Sequence, residues 1–271
     1  MQQRIAFIGG GNMASAIIGG LRKQGWPAEH IDVVEPFDEA RAKLHEQFGI
    51  TARPQAGSFL AHADIVVWAV KPQTFKDAAA QAQAHTRAAL HLSVAAGIGS
   101  DTMAQWLGSE RVVRSMPNTP ALIGKGITAL FARAAVKEAD KALVNQVLKS
   151  TGDAMWVGAE AQIDAVTALS GSGPAYMFYF MEAMREAGIG MGLDAAQAYQ
   201  LAVATFIGAG ELAKASPEPP EVLRQRVTSK GGTTYAALSA MEASGIKGAF
   251  IAAMQAAQAR AREMGEEFGA G

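Results

Sequence analysis

The stretch Ile5-Ala6-Phe7-Ile8-Gly9-Gly10-Gly11-Asn12-Met13-Ala14 decides the predicted fold. Its first four residues are apolar and typical of a buried strand, and a helical pattern begins after the glycines. The glycines fit the pattern G-x-G-x-x-A, in which the first Gly permits a tight turn, the second admits a pyrophosphate and the Ala allows close helix–strand packing. A glycine turn with a purely structural role is the alternative. We expect a dinucleotide to contact Gly9, Gly11, Asn12, Met13 and Ala14.

An acidic residue, Glu35, stands about 20 residues after this turn, at the end of the second predicted strand. A carboxylate at that position commonly accepts hydrogen bonds from the adenine-ribose hydroxyls and would repel a 2′-phosphate. Because no Arg follows before Arg41, Glu35 favours NADH over NADPH as the cofactor. The alternative is a solvated carboxylate beside Pro36 and Phe37, with the adenosine held elsewhere.

A third candidate for cofactor contact follows the apolar run Ile65–Ala69, which predicts a strand buried on both faces. Ligands of a doubly wound sheet lie beyond the carboxyl ends of the strands, so we expect Ala69, Val70, Lys71 and Pro72 beside the cofactor. Lys71 is expected either to contact phosphates or the rim of the substrate site, or to cap the strand end in water.

The first 158 residues alternate short strand patterns with helical patterns. Beyond Ile5–Ile8, the predicted strands are Ile31–Val34, Ile65–Ala69, Leu92–Ala95, Val112–Val113, Ile127–Phe131 and Met155–Val157. The predicted helices are Asn12–Gln24, Asp38–Phe48, Phe75–His85, Thr102–Leu107 and Val136–Ser150. This alternation predicts an α/β fold in which residues 1–158 form a Rossmann-type, doubly wound, mainly parallel sheet covered by helices on both faces.

Residues 159–271 are dominated by Ala, Met, Leu and Gly and predict an all-α domain. The predicted helices run from Pro174 to Ala187, from an N-cap at Asp194 to Ala213, from Thr234 to Ala243 and from Gly248 to Glu267, with a linker at Ala215–Pro220. Helices this apolar expose hydrophobic faces unless a partner covers them. We therefore expect a homodimer through this half; a self-contained helical bundle is the alternative.

Composition narrows the functional classes. The 271 residues are 49% hydrophobic and 18% charged, carry a net charge of −1 and include no cysteine. The charge gives no reason to expect a nucleic acid or an anionic membrane as a partner, and thiolate catalysis and Cys-ligated metals are excluded. No apolar run reaches the length of a membrane span, and the N-terminus lacks the features of a secretion signal. We expect a cytoplasmic protein without a metal site.

The distribution of histidine bears on the chemistry. All five histidines lie within the first 91 residues, and the half expected to bind substrate has none. Reduction of a ketone usually needs a positioned proton donor, for which Lys230 would be the candidate. An imine relaxes this demand, because it arrives protonated or takes its proton through a hydroxyl group or water.

Three segments have the composition of binding loops: Arg114–Ala121, Asp164–Tyr176 and Thr228–Thr234. Each places small or hydroxyl residues at a turn, and the last two stand before predicted helices. Backbone N–H groups and hydroxyls at a helix N-terminus can bind a carboxylate. Ordinary N-capping by Ser or Thr is the alternative for each of them.

Together with residues 7–14 and 69–73, these three loops resemble the motifs of the pyrroline-5-carboxylate reductase family, in order and over nearly the full length. The resemblance implies hydride transfer from NADPH or NADH to the imine carbon of 1-pyrroline-5-carboxylate, which gives L-proline. It implies a homodimer formed through the helical domain, which assembles into decamers in several members. The implied site residues are Ser229, Gly231, Gly232 and Thr233 for the substrate carboxylate, Thr234 as the catalytic hydroxyl at the ring nitrogen, and Asn118 among the cofactor contacts.

The chain departs from the family pattern at three places. Lys230 replaces a common proline, Ala56 stands where many members have an Asn that contacts the cofactor, and Glu35-Pro36 replaces small hydroxyl or basic residues. The last two departures affect cofactor preference. Two rival classes stay open: a β-hydroxyacid dehydrogenase, whose expected Lys and Asn are absent from the helix after Gly173, and a non-catalytic NAD(P)-binding protein, against which Thr234 and its loop argue.

Overall fold

The computed structural model describes residues 3–269, which divide into two compact units. The first unit comprises residues 3–172 and 257–269, and the second comprises residues 173–256. A seven-stranded sheet forms the centre of the first unit, in the order β2-β1-β3-β4-β5-β6-β7. Its strands are β1 Ile5–Ile8, β2 Ile31–Val34, β3 Ile65–Trp68, β4 Leu90–Ser93, β5 Val112–Met116, β6 Gly126–Ala132 and β7 Gly152–Trp156.

Six helices belong to the strand-containing part of the chain: α1 Asn12–Lys23, α2 Asp38–Phe48, α3 Pro72–Thr86, α4 Ser100–Leu107, α5 Glu138–Leu148 and α6 Gln162–Val166. A π-helical turn follows at Thr167–Gly171, and a short 3-10 turn lies at Thr119–Ile123. The remaining helices are α7 Gly173–Gly190, α8 Ala195–Ala215, α9 Pro220–Arg226, α10 Thr233–Ala243 and α11 Ile246–Gly269. The predicted α/β fold with an all-α second half is confirmed.

The sheet is mainly parallel, as predicted. Strands β1 to β5 run parallel to one another, β6 pairs with β5 in the antiparallel sense, and β7 is parallel to β6. The chain leaves β1 for β2 on one side and returns to β3 on the other side. The carboxyl ends of β1 and β3 therefore border the crevice in which sheets of this kind bind ligands.

Alternation along β1 explains why the sheet is covered on both faces. Ile5 and Phe7 belong to one hydrophobic cluster, whereas Ala6 and Ile8 belong to the other. Successive strand residues point to opposite faces, so an uninterrupted apolar strand requires helices on both. Helix α1 contributes Ile17 to the first cluster, and α3 completes the second.

The two compact units divide between residues 172 and 173, which is later in the chain than the predicted domain boundary between residues 158 and 159. Helix α6 and the π turn lie in the first unit because α6 packs on β5 and β6, and the end of α11 also belongs to that unit. The functional boundary between residues 158 and 159 stays a prediction. Helices α6 and α9 are absent from the sequence-based assignment, since each is too short for a periodic pattern.

The long helices of the second unit agree with their predicted positions. Asp194 caps α8 as predicted: its carboxylate accepts the Gln197 N–H at 2.8 Å, and the Asp194 N–H donates to the Gln197 side-chain oxygen at 3.3 Å. Phe178, Tyr179 and Ile207 lie more than half exposed on α7 and α8. Among the residues that the structure describes, no helix is both long and apolar enough to cross a bilayer.

Strand β4, Leu90–Ser93, both begins and ends two residues before the predicted strand Leu92–Ala95, because buried polar side chains interrupt the apolar pattern on which the prediction rested. His91 is fully buried, and its Nδ1 accepts the Trp68 indole N–H at 3.1 Å. The imidazole thus serves as the acceptor for a buried donor of the neighbouring strand. Burial, assisted by the charge of Arg111, lowers the pKa of His91 from 6.5 to about 4.

This buried histidine should make the protein sensitive to acid. The unfolded chain binds a proton with a pKa near 6.5, whereas the folded chain resists protonation down to about pH 4, so stability decreases as the pH falls through that window. The expected loss at pH 5 is about 2 kcal/mol. His91→Asn, which keeps an acceptor for Trp68, should flatten the decrease in urea midpoint between roughly pH 7.5 and pH 5.

The exposed His62 supplies the control, because His62→Asn should leave the pH dependence of the midpoint as it is in the wild type. An equally steep acid dependence in His91→Asn would contradict the assignment of this sensitivity to His91.

Candidate active site

The first glycine of the turn adopts a conformation that other residues avoid. Gly9 has φ +96°, and a methyl group there would come within 2.5 Å of the Ala69 carbonyl oxygen. The Ala69 N–H in turn donates to the Ile8 carbonyl at 2.8 Å. The ends of β1 and β3 therefore approach so closely that only Gly fits between them.

The second motif glycine, Gly11, is open. It is the N-cap of α1, with φ −71°, and a methyl group built on it meets no atom of residues 3–269 within 4 Å. No side chain caps α1 among the described residues, and the first turn contains no acidic residue. Uncapped N–H groups at the positive end of a helix dipole fit a pyrophosphate. Ala14, fully buried, occupies the position that requires a small side chain.

A cavity of about 600 Å³ adjoins this helix end. Phe37 and Leu122 lie on its lining, and both are more than half exposed. Lys43 and Glu39 also line it and form an ion pair at 2.8 Å. The remaining lining residues are Gly10, Gly11, Asn12, Ser15, Asp38, Ala40 and Gln47. A cavity of this volume, with apolar side chains and backbone N–H groups, suits the adenosine and phosphate portion of a dinucleotide.

Glu35 is not the solvated carboxylate of the alternative interpretation, since it is only 5% exposed. Its Oε2 accepts the Gly10 N–H at 2.7 Å, and its Oε1 accepts the Phe37 N–H at 3.0 Å. Arg41 donates to the Glu35 and Pro36 carbonyl oxygens and contacts Asp38. The predicted contact of Glu35 with ribose stays a prediction.

The segment after β3 begins α3 directly. Lys71 is the N-cap of this helix and is exposed, and Pro72 is its first residue. Proline suits that position because its missing N–H would have no helical partner there. Ala69 and Val70 are half-buried. All four residues follow the carboxyl end of β3, as predicted from the order of elements, and Ala69 and Val70 lie beside Gly9.

Asn118 joins two segments of the first unit through its side chain. Its Oδ1 accepts the Ile127 N–H at 3.0 Å, and its Nδ2 donates to the Ser170 carbonyl at 3.2 Å. It thereby connects the start of β6 to the π turn. The side-chain amide is engaged within the protein, so the predicted cofactor contact of Asn118 is left to its backbone or to its remaining Nδ2 hydrogen.

Arg114 is a buried charge that sequence reasoning placed in a recognition loop. It lies on β5, donates to Glu160 at 3.0 Å and to Asp164 at 3.1 Å, and is 7% exposed in its side chain. Glu160 also accepts the Ser100 N–H at the start of α4. Arg114 therefore fixes α6 and the approach to the π turn. The paired acids, 46 and 50 residues further along the chain, carry no local signal that could have revealed them.

The predicted substrate loop lies in the second unit. The Gly232 N–H donates to the Ser229 carbonyl at 3.0 Å, and Gly231 has φ +75°. Gly232 is the N-cap of α10, which has no side-chain cap among the described residues. Thr233 and Thr234 form the first turn, with Thr234 half-buried, and Lys230 is exposed. The loop brings hydroxyl groups and uncapped N–H groups together, an arrangement suited to a carboxylate.

Two family models match the chain. The pyrroline-5-carboxylate reductase dimerisation model matches residues 160–264, and a model described as NADP oxidoreductase, coenzyme F420-dependent, matches residues 4–97. The class is thus a nicotinamide-dependent oxidoreductase with a Rossmann-type domain followed by a helical dimerisation domain.

Full-length relatives define the family more closely. A pyrroline-5-carboxylate reductase of Pseudomonas aeruginosa is 46% identical over 268 residues, which cover 98% of each chain. The structure of the Coxiella burnetii enzyme has a TM-score of 0.90 at 36% identity and covers 97% of this chain and 99% of its own. That of the Plasmodium falciparum enzyme with NADP bound has a TM-score of 0.87 at 28% identity, over 97% and 98% of the two chains. The chain belongs to the pyrroline-5-carboxylate reductase family.

Proposed function

We propose that this protein reduces 1-pyrroline-5-carboxylate to L-proline, with NADPH or NADH as the hydride donor. The observation that carries the proposal is the 46% identity to a pyrroline-5-carboxylate reductase over 98% of the chain. That alignment length includes both the glycine turn at the end of β1 and the loop before α10. The imine substrate also agrees with the absence of histidine from the second half of the sequence.

The first unit supplies the residues for the cofactor. The α1 N-terminus, from Gly11 to Met13, is proposed to hold the pyrophosphate, and the cavity beside Phe37 is proposed to hold the adenosine. Residues 69–72 and Asn118 are proposed to contact the portion nearer the reacting carbon. When bound, the cofactor supplies a hydride to the imine carbon of the substrate.

The loop before α10 is proposed to bind the substrate. Ser229, Gly231, Gly232 and Thr233 hold the carboxylate through hydroxyl and backbone N–H groups at the uncapped N-terminus of α10. The Thr234 hydroxyl hydrogen-bonds the ring nitrogen, which gains a proton when the imine carbon gains the hydride. Proline, a secondary amine, is the product. Positioning of the two reactants supplies most of the rate enhancement.

The helical region is proposed to form a homodimer, and the dimers to assemble into a decamer. The match to the dimerisation model at residues 160–264 and the exposed aromatic residues of α7 support the dimer. We propose a cytoplasmic location, which a sequence without cysteine suits. We propose neither nucleic acid nor membrane as a partner, because the net charge of −1 offers no electrostatic attraction to either.

The test of the activity is the loss of reduced-nicotinamide absorbance with 1-pyrroline-5-carboxylate, run in parallel with NADH and NADPH. Rapid loss with either cofactor, with proline as the product, is expected. A folded protein that binds the cofactor but oxidises it with no cyclic imine would overturn the proposal and favour the non-catalytic alternative.

Replacement of the proposed catalytic hydroxyl should slow turnover. We expect Thr234→Ala to lower kcat about 30-fold, because a hydrogen bond to a charged group contributes about 2 kcal/mol. The dissociation constants of NADH and NADPH should stay within about twofold of the wild type, since Thr234 lies outside the cofactor-binding unit. Thr234→Ser keeps the hydroxyl and should recover most of the activity. Wild-type turnover in Thr234→Ala would contradict the role of this hydroxyl.

A further inference from the structure

Glu35 contacts the glycine turn itself, at a point between the two glycines of the cofactor motif. Its Oε2 accepts the Gly10 N–H at 2.7 Å, and its Oε1 accepts the N–H of Phe37 at 3.0 Å. With 5% of its surface exposed, Glu35 presents almost nothing to solvent. A buried carboxylate is stable when both oxygens accept hydrogen bonds, and such charge-assisted bonds are among the strong ones in proteins.

The end of β2 holds two successive residues of the turn. The Gly9 N–H donates to the Val34 carbonyl at 2.8 Å, and the Gly10 N–H donates to the side chain of the next residue, Glu35. The contact is close as well as polar, since a methyl group on Gly10 would lie 3.2 Å from Oε2 and 3.3 Å from Cβ of Glu35. These two hydrogen bonds within the protein fix the turn against the end of β2.

The backbone N–H groups of the turn therefore have two different roles. The Gly10 N–H donates to the carboxylate and is unavailable to a phosphate, whereas Gly11 and Asn12 line the cavity at the end of α1 that no described side chain caps. A binding loop held in its bound conformation gains affinity because less ordering is needed on association. The pyrophosphate is common to NADH and NADPH.

We infer that Glu35 is a positioning residue for the pyrophosphate turn, and that it strengthens the binding of NADH and NADPH by the same factor instead of selecting between them. This inference rests on the proposed function. Discrimination at the 2′ position then falls to the rim of the cavity, where Lys43 is paired with Glu39.

The test uses the full-length protein and two substitutions, Glu35→Gln and Glu35→Asp. An amide at residue 35 accepts only one of the two N–H groups, and an aspartate is one methylene too short to reach Gly10. Titrations without substrate should show both variants binding NADH and NADPH about tenfold more weakly, with the ratio of the two dissociation constants unchanged within about threefold. The exposed Glu46 on α2 supplies the control, because Glu46→Gln should bind both cofactors as the wild type does.

Kinetics give a second measurement. The KM of each cofactor should rise by the same factor, while kcat at saturating cofactor and the KM of pyrroline-5-carboxylate stay within about twofold of the wild type. A merely structural defect would lower kcat and change the substrate KM as well. Hydrogen exchange can be measured on the wild type, so it does not depend on whether a variant folds. The Gly10 amide should exchange slowly both before and after NADH is added.

The outcomes are distinct. If the ratio of the NADH and NADPH dissociation constants changes tenfold or more in favour of NADPH binding in the variants, the inference is overturned and Glu35 is a ribose ligand. Fast exchange of the Gly10 amide in the free wild-type protein would overturn it too. A wild type that binds neither cofactor would instead refute the proposed function.

Discussion

Gly11→Ala should abolish tight cofactor binding in a protein that folds normally. The dissociation constants of NADH and NADPH are expected to rise about 100-fold or more, a change of about 3 kcal/mol. A methyl group on Gly11 would project into open space beside the cavity at the α1 N-terminus, where the pyrophosphate must approach the backbone. A displacement of about 1 Å lengthens charge-assisted hydrogen bonds that contribute about 1.5–3 kcal/mol each. Fluorescence titration with NADH measures the loss.

The same substitution should hardly affect folding. Gly11 has φ −71°, which any residue adopts, and the added methyl has no neighbour within 4 Å in the part of the chain that the structure describes. The free energy of unfolding is expected to change by less than about 1 kcal/mol. Gly158→Ala is the matched control, because Gly158 is also open but lies away from the cavity, and it should leave both folding and binding unchanged.

Gly9→Ala should impair folding and cofactor binding together. With φ +96° and the Ala69 oxygen only 2.5 Å from the added methyl, this variant should lose stability as well as cofactor binding. Wild-type affinity for NADH in Gly11→Ala would contradict the placement of the pyrophosphate at α1.

The elements of the first unit that could be predicted are those with a local pattern. Strands β1 and β2 and helix α2 have the predicted bounds, because apolar runs and flanking glycines mark their ends. The antiparallel direction of β6 could not be predicted, since strand direction depends on the course of the chain through the turn at Thr119–Ile123. Its residues look the same in either direction.

The residues of the candidate active site could likewise be predicted only where the sequence has a local pattern. The glycine motif predicted a tight turn at Gly9 and an open backbone at Gly11, because only glycine meets these backbone requirements and glycine can be read directly from the sequence. The partners of Glu35, Asn118 and Arg114 could not be predicted. Each side chain contacts a group that is distant along the chain or belongs to the backbone, such as the N–H of Gly10 or the carboxylate of Glu160. Such contacts leave no periodic or spacing signal.

Arg114→Met should be among the most destabilising single substitutions in the first unit. The Arg114 side chain is 7% exposed, and its guanidinium lies between Glu160 at 3.0 Å and Asp164 at 3.1 Å. Its removal leaves two carboxylates without their partner in a setting of reduced solvent access. We expect the free energy of unfolding to fall by about 3 kcal/mol. This value is near the lower end of the range for broken buried ion pairs, because Glu160 and Asp164 both keep some exposure to solvent. Denaturant unfolding at a fixed protein concentration measures the loss.

Arg260 offers a matched comparison, because it also contacts two acids, Glu263 and Glu267, but all three side chains are more than half exposed. Arg260→Met should therefore reduce the free energy of unfolding far less than Arg114→Met does. A double-mutant cycle isolates the buried pair: Asp164→Asn should cost at least about 1 kcal/mol less when Arg114 is already Met than in the wild type. Additive losses would mean that Arg114 and Asp164 contribute to stability independently of each other, and would leave Glu160 as the partner of Arg114.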